Sequence, residues 1–138
     1  MPAVRVAVDT SALLALASTR DQYHAEARQA LARLQKQRAQ FVSHALILGE
    51  VHGHLLRRLP HAEARRIVQG LLRDPMFEWR EVGRDLLSRA TSGWMERFAH
   101  QRFSLADAVT FELMREEGIA RAFAYDQDFV VAGFALEG

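Results

Sequence analysis

Five acids in this chain stand where side-chain chemistry can be done: Asp9, Glu50, Asp107, Asp126 and Asp128. Asp107 is the most informative. It lies in the run Ser104-Leu105-Ala106-Asp107-Ala108-Val109-Thr110-Phe111-Glu112-Leu113-Met114, whose spacing predicts a helix with Asp107, Phe111 and Met114 on one inward face. A carboxylate at the edge of an apolar core is unfavourable unless it is hydrogen-bonded, protonated or bound to a cation. Two readings follow. Ser104 fits an N-cap and Asp107 the third helical position, so the two can form a capping box. Alternatively, the carboxylate turns toward other acids around a ligand. Asp9 and Asp126 each end an apolar segment, and each has a local use of its own, Asp9 as an N-cap and Asp126 or Asp128 in an Asx-turn. Glu50 sits beside Leu46 and Ile47 at the margin of an apolar helical stripe, where a solvated glutamate is the commoner arrangement.

Taken together, the acids point to a definite chemistry. Several carboxylates within a few ångströms repel strongly when poorly solvated, so a cluster calls for proton sharing or a multivalent cation. Oxygen-only ligands favour magnesium or manganese over zinc or copper. A cation of this kind can neutralise a phosphodiester, polarise its phosphorus and lower the pKa of bound water, while a second stabilises the leaving oxygen. Thr10 and Ser11 either contact metal-bound water or phosphate, or cap the helix that follows them. Glycosidases also use carboxylate pairs, but no sugar cleft is recognisable here. The chain has neither a dinucleotide-binding glycine fingerprint nor a Walker loop, and Asp126-Gln127-Asp128 lacks the glycine and distal glutamate of an EF-hand. His52 and His54, two residues apart, do not share a helix face and make a poor metal pair.

These acids must be positioned by an alternating set of strands and helices. Val4, Val6 and Val8 predict a first strand ending at Asp9, followed at once by a short helix over Thr10–Leu16. Asp21 is placed to cap a second helix running through Tyr23, Ala27, Leu31 and Leu34. Gln40–Ser43 reads as a strand, and Ser43 or His44 starts a helix carrying Leu46, Ile47, Glu50, Val51, Leu55 and Leu59 up to Pro60. His61–Leu72 continues as a helix closed by Asp74-Pro75, and Phe77–Val82 alternates as a third strand that Gly83 breaks. Arg84–His100 has a helical pattern, with Leu86, Leu87, Ala90, Trp94 and Phe98 inward. After the Asp107 helix, which Gly118 can terminate, Ala120–Tyr125 reads as a strand and Val130–Leu136 as a further edge strand. Ligands in open α/β sheets bind at strand carboxyl ends, especially where strand order reverses, so Asp9 and Asp126 are candidates to converge there with Asp107.

Composition narrows the classes. A chain of 138 residues with 49% hydrophobic residues is the size of one compact domain, here residues 1–138. There is no cysteine, which excludes disulfides, thiolate zinc sites and cysteine nucleophiles. No signal peptide and no apolar run long enough to span a membrane is apparent, so a cytoplasmic, membrane-free protein is expected. A net charge of +1 excludes a uniformly basic nucleic-acid grip, leaving local clusters such as Arg57, Arg58, Arg65 and Arg66, or bound metal, to meet phosphate.

Across nearly its whole length the chain resembles PIN-domain nucleases, most closely the VapC-like ribonuclease toxins of type II toxin-antitoxin pairs. The resemblance rests on Val8-Asp9-Thr10-Ser11-Ala12-Leu13-Leu14, on Glu50, on Ser104-Leu105-Ala106-Asp107-Ala108, on Tyr125-Asp126-Gln127-Asp128-Phe129, and on Asp21–Ala27 as the start of a second helix. It implies a three-layer α/β/α sandwich with a central parallel sheet and Mg2+- or Mn2+-dependent cleavage of RNA. It carries the acidic roles, catalytic and metal-binding, onto Asp9, Glu50, Asp107 and Asp126, with Asp128 in reserve. The family often has a hydroxyl residue two before the fourth acid, where this chain has Ala124. The resemblance also implies a homodimer and inhibition by a small antitoxin protein. A nuclease of the same fold acting in RNA processing or DNA repair, and a non-catalytic interaction module, are the alternatives.

Overall fold

The computed structural model describes residues 4–138. Five strands, β1 (Arg5–Val8), β2 (Gln40–His44), β3 (Phe77–Arg80), β4 (Arg121–Phe123) and β5 (Ala135–Leu136), form one sheet in the order β3-β2-β1-β4-β5. Every neighbouring pair is parallel. Parallel strands need crossover connections, and the helices that supply them cover both faces of the sheet. They are α1 (Thr10–Ala17), α2 (His24–Lys36), α3 (Ala45–Leu56), α4 (His61–Arg73), α5 (Arg84–Ala90), α6 (Leu105–Glu117) and the short α7 (Asp128–Val131). The chain lays β1, β2 and β3 outward to one side, then returns to place β4 and β5 on the other side of β1. Strand order therefore reverses between β1 and β4, where Ala7 pairs with Ala122 and Val8 with Phe123.

The alternation of β1 divides the core. Val6 and Val8 pack with Leu13, Leu34, Phe41, Ile47 and Phe123 under α1, α2 and α3. Ala7, between them in sequence, joins Val42, Phe111, Met114 and Phe129 on the opposite face. A third cluster, Leu86, Ala90, Ala108, Val109 and Leu113, seals α5 against α6. The expected α/β/α sandwich around a parallel sheet is thus observed.

Helix α6 is buried from Ala106 through Met114 and fixed at both ends. Its C-cap is Gly118 at φ 67°, and Ile119 N–H donates to the Met114 carbonyl at 2.9 Å. Glu117 accepts two bonds from Arg80 on β3, at 2.9 and 2.6 Å, and a further one from Arg5 on β1. Midway, the buried Glu112 accepts from Trp94 at 3.1 Å and twice from Arg115, whose guanidinium holds its carboxyl down to about 2. These contacts make α6 a stiff bar laid across one face of the sheet.

Several boundaries differ from the sequence reading. The helix expected over Arg84–His100 is α-helical only to Ala90 and then widens into a π-helical stretch, Thr91–Glu96. Thr91 Oγ1 donates to the Leu87 and Ser88 carbonyls at 3.0 Å, and Ser92-Gly93 has weak helical preference, so the regular ladder is easily disturbed there. The wider turn sets Trp94 on Phe98, Phe111 and Glu112. The edge strand expected over Val130–Leu136 is instead α7 followed by β5. Asp126 Oδ1 accepts the Asp128 N–H at 2.9 Å to open a turn, Phe129 buries edge-on against Phe111, and Gly133 at φ 100° returns the chain to the sheet. Asp21 caps no helix directly: it accepts from Tyr23 N–H at 2.8 Å, and α2 begins at His24. Two strands are shorter than expected: β3 ends at Arg80 and β4 spans only Arg121–Phe123.

Phe111 joins α6 to the sheet, touching Trp94, Phe103, Phe129 and Phe134 at zero exposure. Phe111→Ala should reduce stability by about 3–5 kcal/mol in urea unfolding. A loss below about 1 kcal/mol would show that α6 is not the keystone of this face.

Candidate metal centre

The reversal between β1 and β4 brings two carboxyl ends side by side. Asp9 follows β1, adopts extended backbone (φ −100°, ψ 162°) and caps α1 by accepting from Ser11 N–H at 3.3 Å. Its own N–H donates to the Phe123 carbonyl at 3.1 Å, prolonging the ladder past the strand and holding the acid beside β4. Ser11 Oγ donates to Asp9 Oδ2 at 2.9 Å and accepts the Tyr125 N–H at 2.9 Å. One hydroxyl thus couples the acid after β1 to the segment that carries Asp126. Thr10 Oγ1 donates to Glu50 Oε1 at 2.8 Å, tethering an exposed glutamate on α3 to the first residue of α1. Neither hydroxyl caps α1, a role that Asp9 takes; both hold carboxylates in place.

Asp107 enters from α6. The capping box forms in full, with Ser104 N–H donating to Asp107 Oδ2 at 3.2 Å and Asp107 N–H donating to Ser104 Oγ at 3.0 Å. The same carboxylate also meets other acids. One oxygen each from Asp107, Asp126 and Asp128 lies within 4.8 Å of the other two. Asp126 is oriented by the Asx-turn to Asp128 N–H, and Asp128 opens α7. The local uses anticipated for these residues are therefore present, and they coexist with the cluster.

The sequence-predicted acids do not all meet in one group. Asp107 and Asp126 do, joined by the reserve residue Asp128. Asp9 stands just outside, yet close enough that its charge raises the pKa of Asp107 and that of Asp126 raises its own. Glu50 lies at the rim. His52 faces His61 across α3 and α4, with ring centroids 6.5 Å apart, and so is engaged away from the acids. The arginines of the basic stretch, Arg57, Arg58, Arg65 and Arg66, are exposed.

The electrostatics show strain between like charges. Burial, then repulsion from Asp9 and Asp126, pushes Asp107 up to about 6 despite its bonds to Ser104. Burial also raises Asp9, against the bonds from Ser11 and Thr10, with Asp126 adding a further push. Asp128 is raised by burial and by Asp126. Among the described residues none of the five acids takes part in an ion pair. Protein cations therefore leave this negative charge uncompensated, and the donor set is oxygen alone. That combination suits a hard divalent cation, which removes the repulsion and provides a reason for keeping the acids together.

His44 reads from the sequence only as a helix start, yet its ring is fully buried and bonds to Thr110 on α6 at 2.8 Å. The available signal was a histidine inside the apolar run Phe41–Ile47, interrupted otherwise only by Ser43.

Comparison with known proteins agrees with this architecture. Residues 6–135 match the PIN domain family. Over 128 residues, 92% of the chain, it is 34% identical to the 23S rRNA-specific endonuclease VapC20 of two Mycobacterium tuberculosis strains, covering 93% of that protein. The crystal structure of M. tuberculosis VapC20, described as a Sarcin-Ricin loop cleaving toxin, superposes with a TM-score of 0.81 at 30% identity, over 94% of this chain and 96% of that one. With the family matched across almost all of its sheet and helices, the chain belongs to the PIN domain family.

Proposed function

We propose that this protein is a divalent-metal-dependent endoribonuclease acting as the toxin of a toxin-antitoxin pair. The observation that carries the reading is the gathering of Asp107, Asp126 and Asp128 beside Asp9, without a protein cation, where strand order reverses. Asp9, Asp107 and Asp126 hold the metal, with Asp128 as a further ligand. Mg2+ is the preferred ion and Mn2+ its substitute. When bound, the cation supplies charge neutralisation of the scissile phosphate and activation of water. Glu50, steadied by Thr10, completes the acidic set as a further ligand for the cation or its water; Ser11 keeps Asp9 and the Tyr125–Asp126 segment in register.

Likeness to VapC20 along nearly the full length favours a toxin over a processing or DNA-repair nuclease, and makes structured ribosomal RNA the first substrate to test. The chain works as a single PIN unit over residues 1–138, as a homodimer in the cytoplasm, restrained by a small antitoxin. No described helix is long and apolar enough to cross a membrane.

Purified protein should cleave ribosomal RNA with Mg2+ or Mn2+ and lose activity in chelator, while Asp107→Asn should fall by about a hundredfold or more, several kcal/mol of barrier. Cleavage by that variant at the wild-type rate would sink the assignment.

The raised pKa of Asp107 gives a second test. A carboxyl that titrates at about 6 in the fold and 3.8 otherwise favours the folded state when protonated. That contribution is complete below about pH 4 and is lost as pH rises through about 6, up to about 3 kcal/mol for the metal-free protein. Mn2+ needs the ionised form, so the rise in Tm on adding Mn2+ should grow between about pH 5 and 7. A Mn2+ effect independent of pH across that range would contradict Asp107 as a ligand.

A further inference from the structure

His44 ends β2 and stands at the N-cap of α3, the helix that carries Glu50, but its side chain makes no cap bond. It turns inward instead. The ring is fully buried, and Nε2 lies 2.8 Å from Thr110 Oγ1. Thr110 is one helical turn beyond Asp107, and its Oγ1 donates to the carbonyl of Ala106, the residue before Asp107, at 3.0 Å. A threonine hydroxyl has one hydrogen. With that hydrogen directed to Ala106, Thr110 accepts from Nε2–H of His44, and the Ala106 carbonyl faces the same ring. Burial lowers the pKa of the ring to about 4, and it is neutral at pH 7.

Nδ1 then remains as a buried acceptor with no hydrogen-bond partner among the described residues. Leaving such an atom unpaired is costly, and an apolar pair of similar shape would avoid that cost. A His–Thr bridge is therefore a poor way to stabilise this face. It is a good way to fix orientation, because a hydrogen bond specifies distance and angle where apolar packing tolerates sliding. The bridge also has a telling location. It joins the end of β2, from which the Glu50 helix starts, to α6 one turn beyond Asp107, and Thr110 in turn bonds back to Ala106 in the first turn.

We infer that His44 is a positioning residue for the acidic centre: through Thr110 it fixes the first turn of α6, and hence the Asp107 carboxylate, relative to the helix of Glu50. The inference concerns the same site as the proposed nuclease activity and rests on that reading for its functional consequence.

The test uses Thr110→Val, Thr110→Ser and the double variant His44→Leu/Thr110→Val in the full chain. In metal-free protein, hydrogen exchange of the Asp107 amide, which is held in the capping box, should speed up about tenfold in Thr110→Val and in the double variant. Thr110→Ser retains the hydroxyl and should exchange like wild type. In RNA cleavage, kcat should fall about tenfold or more for the first and third variants, with KM within about twofold, because substrate contacts are untouched. The double variant should melt no lower than Thr110→Val, since it removes both polar partners at once. Wild-type exchange or wild-type kcat in Thr110→Val would overturn the inference. So would a Thr110→Ser variant as impaired as Thr110→Val. If the double variant fails to fold, the Val and Ser variants decide alone. Should wild-type protein itself not cleave RNA, the nuclease reading fails, while the exchange measurements still decide whether the bridge fixes Asp107.

Discussion

Repulsion between buried carboxylates is the constraint to which the rest of this structure answers. Asp9 and Asp107 are both pushed toward protonation by burial and by neighbouring acids, Asp126 in both cases and Asp9 also in that of Asp107. Left to themselves, such groups would separate or take up water. Each is prevented from doing so by short local bonds: Ser11 holds Asp9, Ser104 holds Asp107, and the Asp128 amide holds Asp126. The bonds come from hydroxyls and backbone amides, with no arginine among them. An arginine would relieve the repulsion permanently and leave nothing for a cation to do. Neutral donors orient the carboxylates and leave most of the negative potential in place.

Scaffold stiffness is distributed to match. The acids enter from β1, α6 and the turn after β4, elements that come together only because strand order reverses between β1 and β4. Of these, α6 is tied down by Glu117 to Arg80, by Glu112 to Trp94 and by Phe111 to four other rings. Nearer the acidic end, Phe111 is joined by its neighbour Thr110, which His44 meets from β2, the strand on the other side of β1 from β4.

Much of this was legible in the sequence, for identifiable reasons. Strand β1 and the first turn of α1 are local structures: alternating valines followed by Asp-Thr-Ser leave few other conformations. The Asp107 helix announced both its ends, Ser104 at the start and Gly118 at the stop, and both are observed. What could not be read were features decided by distant partners. The π-helical stretch after Ala90 has a local hint in Ser92-Gly93, but it also sets Trp94 on Glu112, which is on another helix. The turn into α7 depends on Phe129 finding Phe111. His44 looked like a helix start because its partner, Thr110, lies 66 residues away.

Asp107 shows why a local motif and a functional site need not compete. A capping box engages one carboxylate oxygen with the N-cap amide, here Oδ2 with Ser104 N–H. A carboxylate has two oxygens and about four lone-pair directions, so this bond consumes only a fraction of its capacity. Fixing one oxygen also fixes the other, and does so at the first turn of a buried helix, where water is scarce and a like-charged neighbour is felt strongly. The cap thus converts a flexible side chain into one whose remaining lone pairs have a set direction. One oxygen of Asp107 lies within 4.8 Å of one each from Asp126 and Asp128. Sequence alone offered a choice between an acid that turns back to cap its helix and one that turns toward other acids. The bond back to Ser104 is instead what holds the carboxylate where those acids meet it.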